Sequence, residues 1–346
     1  MFQKIIDFLS SVGMMILGVI LLLICSVSIQ KNIRLAYPHI RFPVLPVWFR
    51  LSHIPTSTPS ETSLPPSKPL IPLKKDDVEF TGVLSADAVF VVDDKTNTVL
   101  WSRNSTEIRP LASITKLVSI LVLNDLSLDF STTTVIQAAD SDGTGSQVRV
   151  GEKYRLDNLW DASLIGSSNI AIRSLVRASG LSSEEFVGLM NKKVRELDLP
   201  TMQFTEPTGL SAQNIGSAED VARLLQVALE DKHIAETLLK VDYVLNPLDR
   251  PVRKVWSTNM LLTNWVSNNF GNTQAIGKTG HIEDSGYNFV VRLSQSDQRV
   301  IRVVILGADA NELRFSEARD IGEWVFSHYV WPGEEEYQTI AAEHQN

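Results

Sequence analysis

A single cysteine in 346 residues leaves no internal disulfide and no thiolate cluster for zinc. That residue, Cys25, lies in an apolar stretch, the wrong setting for a catalytic thiol. Positive charge is short: 32 Lys and Arg stand against 40 Asp and Glu, giving a net charge of −8 and a pI near 5.3. Nucleic acid requires a basic face, so no nucleic-acid partner is expected. His39, His53, His233, His328 and His344 show no metal-ligand spacing and read as surface or packing residues. Neither a metal nor another cofactor is expected, and no internal repeat divides the chain.

What is present begins with a charge-free stretch from Phe8 to Gln30, almost wholly apolar between Val12 and Ile24. It is long enough to cross the hydrocarbon core of a bilayer. Residues 1–30 are therefore expected to be a short cytoplasmic tip and a transmembrane anchor. A cleaved signal peptide is the rival, with Ser26-Val27-Ser28 as small residues at a cleavage site, but the apolar run exceeds a typical signal core. Ile24 is too large for a lipoprotein signal before Cys25. Lys4 precedes the span while Lys31, Arg34, Arg41 and Arg50 follow it. The positive-inside rule alone would place the following domain on the cytoplasmic side. An N-terminal signal threaded as a loop overrides that bias, and the expectation is a single-pass protein of the cell membrane with its main domain extracytoplasmic. Residues 31–76 read as a juxtamembrane segment and spacer. Tyr37, Phe42, Trp48 and Phe49 suit the membrane interface, and residues 55–73 are rich in Pro, Ser and Thr.

A folded domain is expected over residues 77–332, with a tail at 333–346. Ala86 to Val92 reads as a buried strand, Asp93 to Asn97 as a turn and Thr98 to Ser102 as the returning strand. Helical spacing recurs over Leu156 to Leu164, Ile170 to Ala178, Ser183 to Leu197 and Ala218 to Leu229, the last with Ser217 as its N-cap. Strands return at Gln274 to Lys278, Tyr287 to Leu293 and Val300 to Leu306, and a helix closes the domain from about Glu312 to Tyr329. The order predicts an α/β domain with a mostly antiparallel sheet flanked by helices, plus an all-helical subdomain.

Three short motifs carry chemistry. In Ser113-Ile114-Thr115-Lys116 the spacing predicts a helix entered at Pro110, with Ser113 and Lys116 at i and i+3 on one face. A hydroxyl beside an amine able to take its proton is an activated nucleophile. Alone this means little, since Ser28-Ile29-Gln30-Lys31 has the same pattern inside the apolar stretch. Downstream, however, come Ser167-Ser168-Asn169 between two helices and Lys278-Thr279-Gly280 at the end of a strand, followed by His281. Three motifs in this order are far rarer than any one of them.

Ser-x-x-Lys, Ser-x-Asn and Lys-Thr-Gly in this order resemble the penicillin-recognising serine enzymes. The flanking residues resemble the low-molecular-mass D-alanyl-D-alanine carboxypeptidases: Val91 to Thr96, Pro110 to Lys116, Gly166 to Asn169, Glu206-Pro207-Thr208-Gly209-Leu210-Ser211, Lys278 to His281, and Ser285-Gly286-Tyr287-Asn288. Arg314, Glu317 and Trp324 resemble the family's last helix. The resemblance implies a DD-peptidase/β-lactamase-like fold and an acyl-enzyme on Ser113. It implies Lys116 as base, Ser167 as a proton relay and Asn169 as a holder of Lys116 and the substrate amide. Lys278 and Thr279, helped by Arg314, would bind the terminal carboxylate, and Gly280 would let the substrate lie against the strand. The oxyanion hole would be the main-chain N–H groups of Ser113 and His281. Peptidoglycan stem peptides are the implied substrate and β-lactams the implied covalent inhibitors.

Two departures keep alternatives in view. Glu206 stands where these carboxypeptidases usually carry Asp or Asn, and Glu-Pro after Ser-x-Asn also resembles class A β-lactamases, where a glutamate activates the deacylating water. Thr208-Gly209-Leu210-Ser211 continues the peptidase pattern, so Glu206 is expected to be a loop residue. With fifteen residues after Trp331, the C-terminal β domain and anchoring helix of many such carboxypeptidases are expected to be absent. That leaves a membrane-tethered penicillin sensor as a non-enzymatic reading, weakened because only seven residues precede the apolar stretch.

Overall fold

The computed structural model describes residues 70–141, 147–270 and 274–343. The expected transmembrane segment and the spacer before Leu70 lie outside the described residues, among which no helix is long and apolar enough to cross a membrane.

The described chain begins with β1 (Leu73–Lys74), the hairpin β2 (Ala88–Asp93) and β3 (Val99–Arg103), and the short β4 (Arg109–Pro110). A 3-10 turn over Ala112–Ile114 leads into α1 (Thr115–Asp125). The helical part follows: β5 (Thr133–Val135), β6 (Lys153–Arg155), α2 (Leu156–Leu164), α3 (Asn169–Ala178), α4 (Ser183–Glu196), β7 (Ile215–Gly216), α5 (Ala218–Glu230) and α6 (Lys232–Leu238). A second hairpin, β8 (Asp242–Leu245) and β9 (Arg253–Trp256), precedes β10 (Ala275–Ile282), β11 (Gly286–Ser294) and β12 (Val300–Ala308). The chain closes with α7 (Leu313–His328), β13 (Tyr329–Val330) and α8 (Tyr337–Glu343).

Five strands form the main sheet in the order β10-β11-β12-β2-β3, every neighbouring pair antiparallel. Both faces are covered, and the sequence of β2 shows how. Ala88, Phe90 and Val92 point into one core with Leu117, Val118 and Leu121 of α1. Val89 and Val91 point into the other, with Phe315, Ile321 and Val325 of α7. Successive strand residues face opposite ways, so a strand buried on both sides reads as an unbroken apolar run. Helix α1 is buried at every position from Thr115 to Leu123, which makes it the axis of the helical part rather than an amphipathic surface helix. Caps fix the neighbouring helices. Ser217 accepts from Asp220 N at 3.2 Å at the start of α5, as its sequence predicts, and Ser182 and Glu185 form a reciprocal capping box on α4.

Several boundaries differ from the sequence expectation. Pro110 does not open a helix. It pairs with Ile215 in a two-residue strand, and Ala112 then takes a left-handed φ of 49°, outside the α-helical region. Helix α1 therefore starts at Thr115, and Ser113 sits on the turn before it. Strand β10 does not stop at Lys278 but runs on to Ile282, because β11 pairs with it as far as Gly286. The hairpin β8–β9 was not expected, its two arms being only four residues each. The folded part also extends beyond residues 77–332 on both sides. Leu73 and Lys74 pair with Val330 and Tyr329, and the buried Tyr337 of α8 donates its hydroxyl to Ile71 O at 2.9 Å.

Candidate active site

Ser113 is half-buried on the turn between β4 and α1. One turn on, the fully buried Lys116 aims its Nζ back at it, 2.7 Å from Ser113 Oγ. The same Nζ lies 2.7 Å from Asn169 Oδ1 and 2.6 Å from the carbonyl of Thr208. Three acceptors from three separate segments hold the amine in one place. An ammonium fills all three as donor. A neutral amine keeps two N–H donors and offers its lone pair to the serine hydroxyl.

Asn169 is the first residue of α3, whose N-cap is Ser168, accepting from Ala171 N at 3.2 Å. Just before it, Ser167 holds a left-handed φ of 56°, a conformation that costs a non-glycine residue energy and concentrates at functional sites. Its hydroxyl accepts from Lys278 Nζ at 2.7 Å, and Lys278 also donates to Thr279 O at 2.8 Å. Lys278 is buried, and burial, with the charges of Lys116 and Arg314 nearby, pushes its pKa well below the ordinary lysine value. The Thr279 hydroxyl shares a 2.7 Å hydrogen bond with Thr258 Oγ1.

Strand β10 presses on the nucleophile turn at Gly280. A Cβ there would fall 2.7 Å from Leu111 O and 3.1 Å from Ser113 N, so only glycine lets the strand backbone come this close. Asn288, opposite Gly280 in the register, ties the two together by donating to Pro110 O at 2.9 Å. His281 is exposed, its ring stacked on Tyr287 with centroids 3.9 Å apart. Its Nδ1 lies 3.0 Å from Gly286 O, so the imidazole is engaged at the β10–β11 turn.

Arg314 departs from its expected place. It was expected to help Lys278 and Thr279 with the substrate carboxylate; it is buried, and Nη1 donates to Gly280 O at 2.9 Å and Asn288 O at 3.2 Å. Nη2 donates to Asn311 Oδ1 at 2.5 Å. Nη1 thus ties together the backbones of β10 and β11, and the guanidinium adds its charge to the field at Lys278. Burial lowers the guanidinium to about 10, still charged at neutral pH. The expected pairs Ser113–Lys116 and Lys116–Asn169 are brought within hydrogen-bond distance, and the structure adds a pair not expected, Ser167–Lys278. Sequence reasoning missed the Thr208 carbonyl and Thr258; the first lies inside the quoted Pro-Thr-Gly segment, and the second carries no sequence signal.

The model of the D-alanyl-D-alanine carboxypeptidase family, peptidase S11, matches residues 76–310. The chain belongs to this family. Among curated proteins it is similar to the D-alanyl-D-alanine endopeptidase of Haemophilus influenzae, with 30% identity over 236 residues, 67% of this chain and 78% of the relative. It is 27% identical over 265 residues to the D-alanyl-D-alanine carboxypeptidase DacF of Bacillus subtilis, covering 74% of this chain and 66% of the relative. The solved Streptomyces K15 DD-transpeptidase shares the fold with a TM-score of 0.64 and 21% identity, over 72% of this chain and 100% of that one.

Within this carboxypeptidase-family chain, Glu206 has a structural occupation. Its Oε2 accepts from Thr208 N at 2.8 Å and Thr208 Oγ1 at 2.5 Å, and its Oε1 accepts from Gly209 N at 2.5 Å and Asn214 Nδ2 at 2.8 Å. Both oxygens are used in folding the loop that offers the Thr208 carbonyl to Lys116. A carboxylate so committed is a poor candidate for activating water, which argues against the class A β-lactamase reading.

Proposed function

We propose that the chain is a serine-type D-alanyl-D-alanine carboxypeptidase acting on peptidoglycan stem peptides, with Ser113 as nucleophile. The observation that carries the roles is the 2.7 Å contact between Lys116 Nζ and Ser113 Oγ inside a buried, three-acceptor cage. In this reading neutral Lys116 takes the Ser113 proton as Oγ attacks the carbonyl of the penultimate D-alanine. The C–N bond then breaks as protonated Lys116 returns that proton through the Ser167 hydroxyl to the departing D-alanine amine, and water hydrolyses the ester with Lys116, neutral once more, as base. The N–H groups of Ser113 and His281 stabilise the oxyanion, worth about 3 kcal/mol per donor in comparable sites. Lys278 and Thr279 receive the terminal carboxylate, while Asn169 holds Lys116 and the substrate amide. β-Lactams acylate the same serine. The N-terminal apolar stretch anchors the chain in the cell membrane as a single span, with this domain on the extracytoplasmic side.

The direct test is D-alanine release by the full-length chain from a peptide ending in D-Ala-D-Ala, beside Ser113→Ala. Release is expected from the wild type and none above background from the variant. A folded wild type that releases nothing would sink the assignment. Because three curated relatives carry the name endopeptidase, at 27–30% identity, a second reading is cleavage of D-alanyl crosslinks by the same residues. A cross-linked muropeptide dimer offered in the same assay separates the two.

Lys278 gives a pH prediction. Repulsion between two ammonium groups is mutual, so the Lys116–Lys278 pair surrenders its first proton more readily than an isolated lysine. Lys278→Met removes this second cation from beside Lys116. The same variant should raise KM roughly 10- to 100-fold through the lost charge-assisted bond to carboxylate. Stability changes in the opposite sense. With its folded pKa depressed, Lys278 costs stability below that pKa, and the cost fades as pH rises toward the ordinary value of about 10.5. Thermal melts of the wild type should therefore rise over that window and those of Lys278→Met should rise less. Melts that rise as steeply in the variant as in the wild type would refute the depressed pKa of Lys278.

A further inference from the structure

We propose that Trp256 and Trp265 form a shelf beside the catalytic cleft that binds the sugar chain carrying the stem peptides, so that the chain favours peptides still attached to glycan over free ones. The inference rests on the peptidoglycan reading above and adds a second substrate-binding region to it.

Among the six tryptophans in the described residues two stand out by exposure: Trp256 at 45% and Trp265 at 65%. Large aromatic rings seldom stay this open unless something covers them in use. Their centroids are 6.4 Å apart and the rings tilt by 41°. A ring held between two others needs roughly 7 Å, twice the carbon contact distance, so nothing slides between them. They make one bent apolar shelf instead. A pyranose suits such a surface, because one face presents C–H bonds and the rim carries hydroxyl and amide groups that seek polar partners. Those partners are at hand. Lys254 Nζ lies 4.5 Å from the Trp256 ring centroid and 3.0 Å from Asp242 Oδ2.

Placement favours a ligand continuous with the one in the cleft. Trp256 ends β9, and two residues later Thr258 N donates to Ile165 O at 3.1 Å while Thr258 Oγ1 meets Thr279 Oγ1. The strand that carries Trp256 therefore runs directly into the cleft wall, between the Ser167 segment and β10. Trp265 sits on the loop that follows, which Asn259 pins to the first residue of β10 by donating to Ala275 O at 2.8 Å. An extended five-residue stem reaches at most about 17 Å, so a peptide end bound at Ser113 keeps its sugar near the cleft rim.

A protein partner is the rival occupant, because Val244, Leu248 and Val252 are also exposed on this hairpin. Leu248 and Val252, however, lie in the connection beyond the Leu245–Arg253 pair, at the opposite end from the Asp242–Trp256 pair. The polar rim belongs to the tryptophan end, which is the end joined to the cleft.

The test uses the full-length chain and glycan strands stripped of their stems as the probe, measured by calorimetry. Wild type is expected to bind, with affinity at least tenfold weaker in Trp265→Ala and in Trp256→Ala and largely kept in Trp265→Phe. D-alanine release from a free D-Ala-D-Ala peptide should stay within twofold in Trp265→Ala. On uncross-linked polymeric peptidoglycan its KM should rise about tenfold with kcat unchanged. Wild type that does not bind glycan strands, or alanine variants that bind them as well as wild type, would overturn the proposal. So would a loss of polymer preference in Leu248→Ser with none in the tryptophan variants, which would point to a protein partner. If the free peptide is not hydrolysed by wild type, the carboxypeptidase reading fails separately, since glycan binding is read without turnover.

Discussion

Lys116→Met is expected to slow acylation of Ser113 by about 10³- to 10⁴-fold, the range for a lost general base acting with its nucleophile. That corresponds to roughly 4–5 kcal/mol of barrier. Methionine can follow the course of the lysine stem through a fully buried slot, so the main chemical change is loss of Nζ and its contacts to Ser113, Asn169 and Thr208. Leaving the Thr208 carbonyl without this donor should cost about 1–3 kcal/mol of stability, a loss visible as a lower melting temperature in a protein that still folds. The measurement is the rate of labelling by a fluorescent penicillin under single-turnover conditions, beside a thermal melt. Labelling within tenfold of wild type would remove Lys116 from the role of base.

Gly209→Ala should be as damaging for a reason that involves no chemistry. Gly209 has a φ of +93°, and a Cβ on it would lie 2.0 Å from the carbonyl oxygen of Ala112 and 2.8 Å from Ser113 N. Neither atom belongs to a side chain that can swing away. The strained φ and the displaced backbone together should cost about 3 kcal/mol or more of stability. Relief by shifting the nucleophile turn would move Ser113 relative to Lys116, and misplacement of that order costs about 100-fold in rate. D-alanine release and the melting temperature are expected to fall together. An alanine variant with wild-type rate and melt would mean that the loop and the turn are not in this contact.

These two positions show what the sequence made legible. Ser113 with Lys116 and Ser167 with Asn169 are each spaced within one short segment, and local spacing already puts them near one another. Lys278, Thr279 and Gly280 are readable as a motif, but their partners are not, because Ser167 and Thr258 meet them only after β10 and the helical part fold together. The same holds for Arg314. Its residue type predicts a cation for a carboxylate; that its Nη1 meets Gly280 O and Asn288 O, carbonyls brought together by strand pairing, was not readable. Fold class was readable from the order of apolar runs. The true start of α1 was not, because it depends on Pro110 pairing across to Ile215 and on the left-handed Ala112. Contacts made by backbone atoms leave little trace in residue identity, and this site depends on several of them.

The clasp formed by β1 and β13 has a mechanical consequence. Besides the strand pair, Lys75 N donates to His328 O at 2.8 Å, and Tyr337 holds Ile71 from the other side. The first and last described elements are thus fastened to each other at the end of α7, across the molecule's second core from the nucleophile turn. Tension arriving along the segment before Leu70 would load this short clasp before reaching β2. Peeling two residue pairs would let out slack while the five-stranded sheet and its β10 edge keep their shape. The domain would then bear a pull on its leading segment at a point that can yield without distorting the place where Ser113 and Gly280 meet.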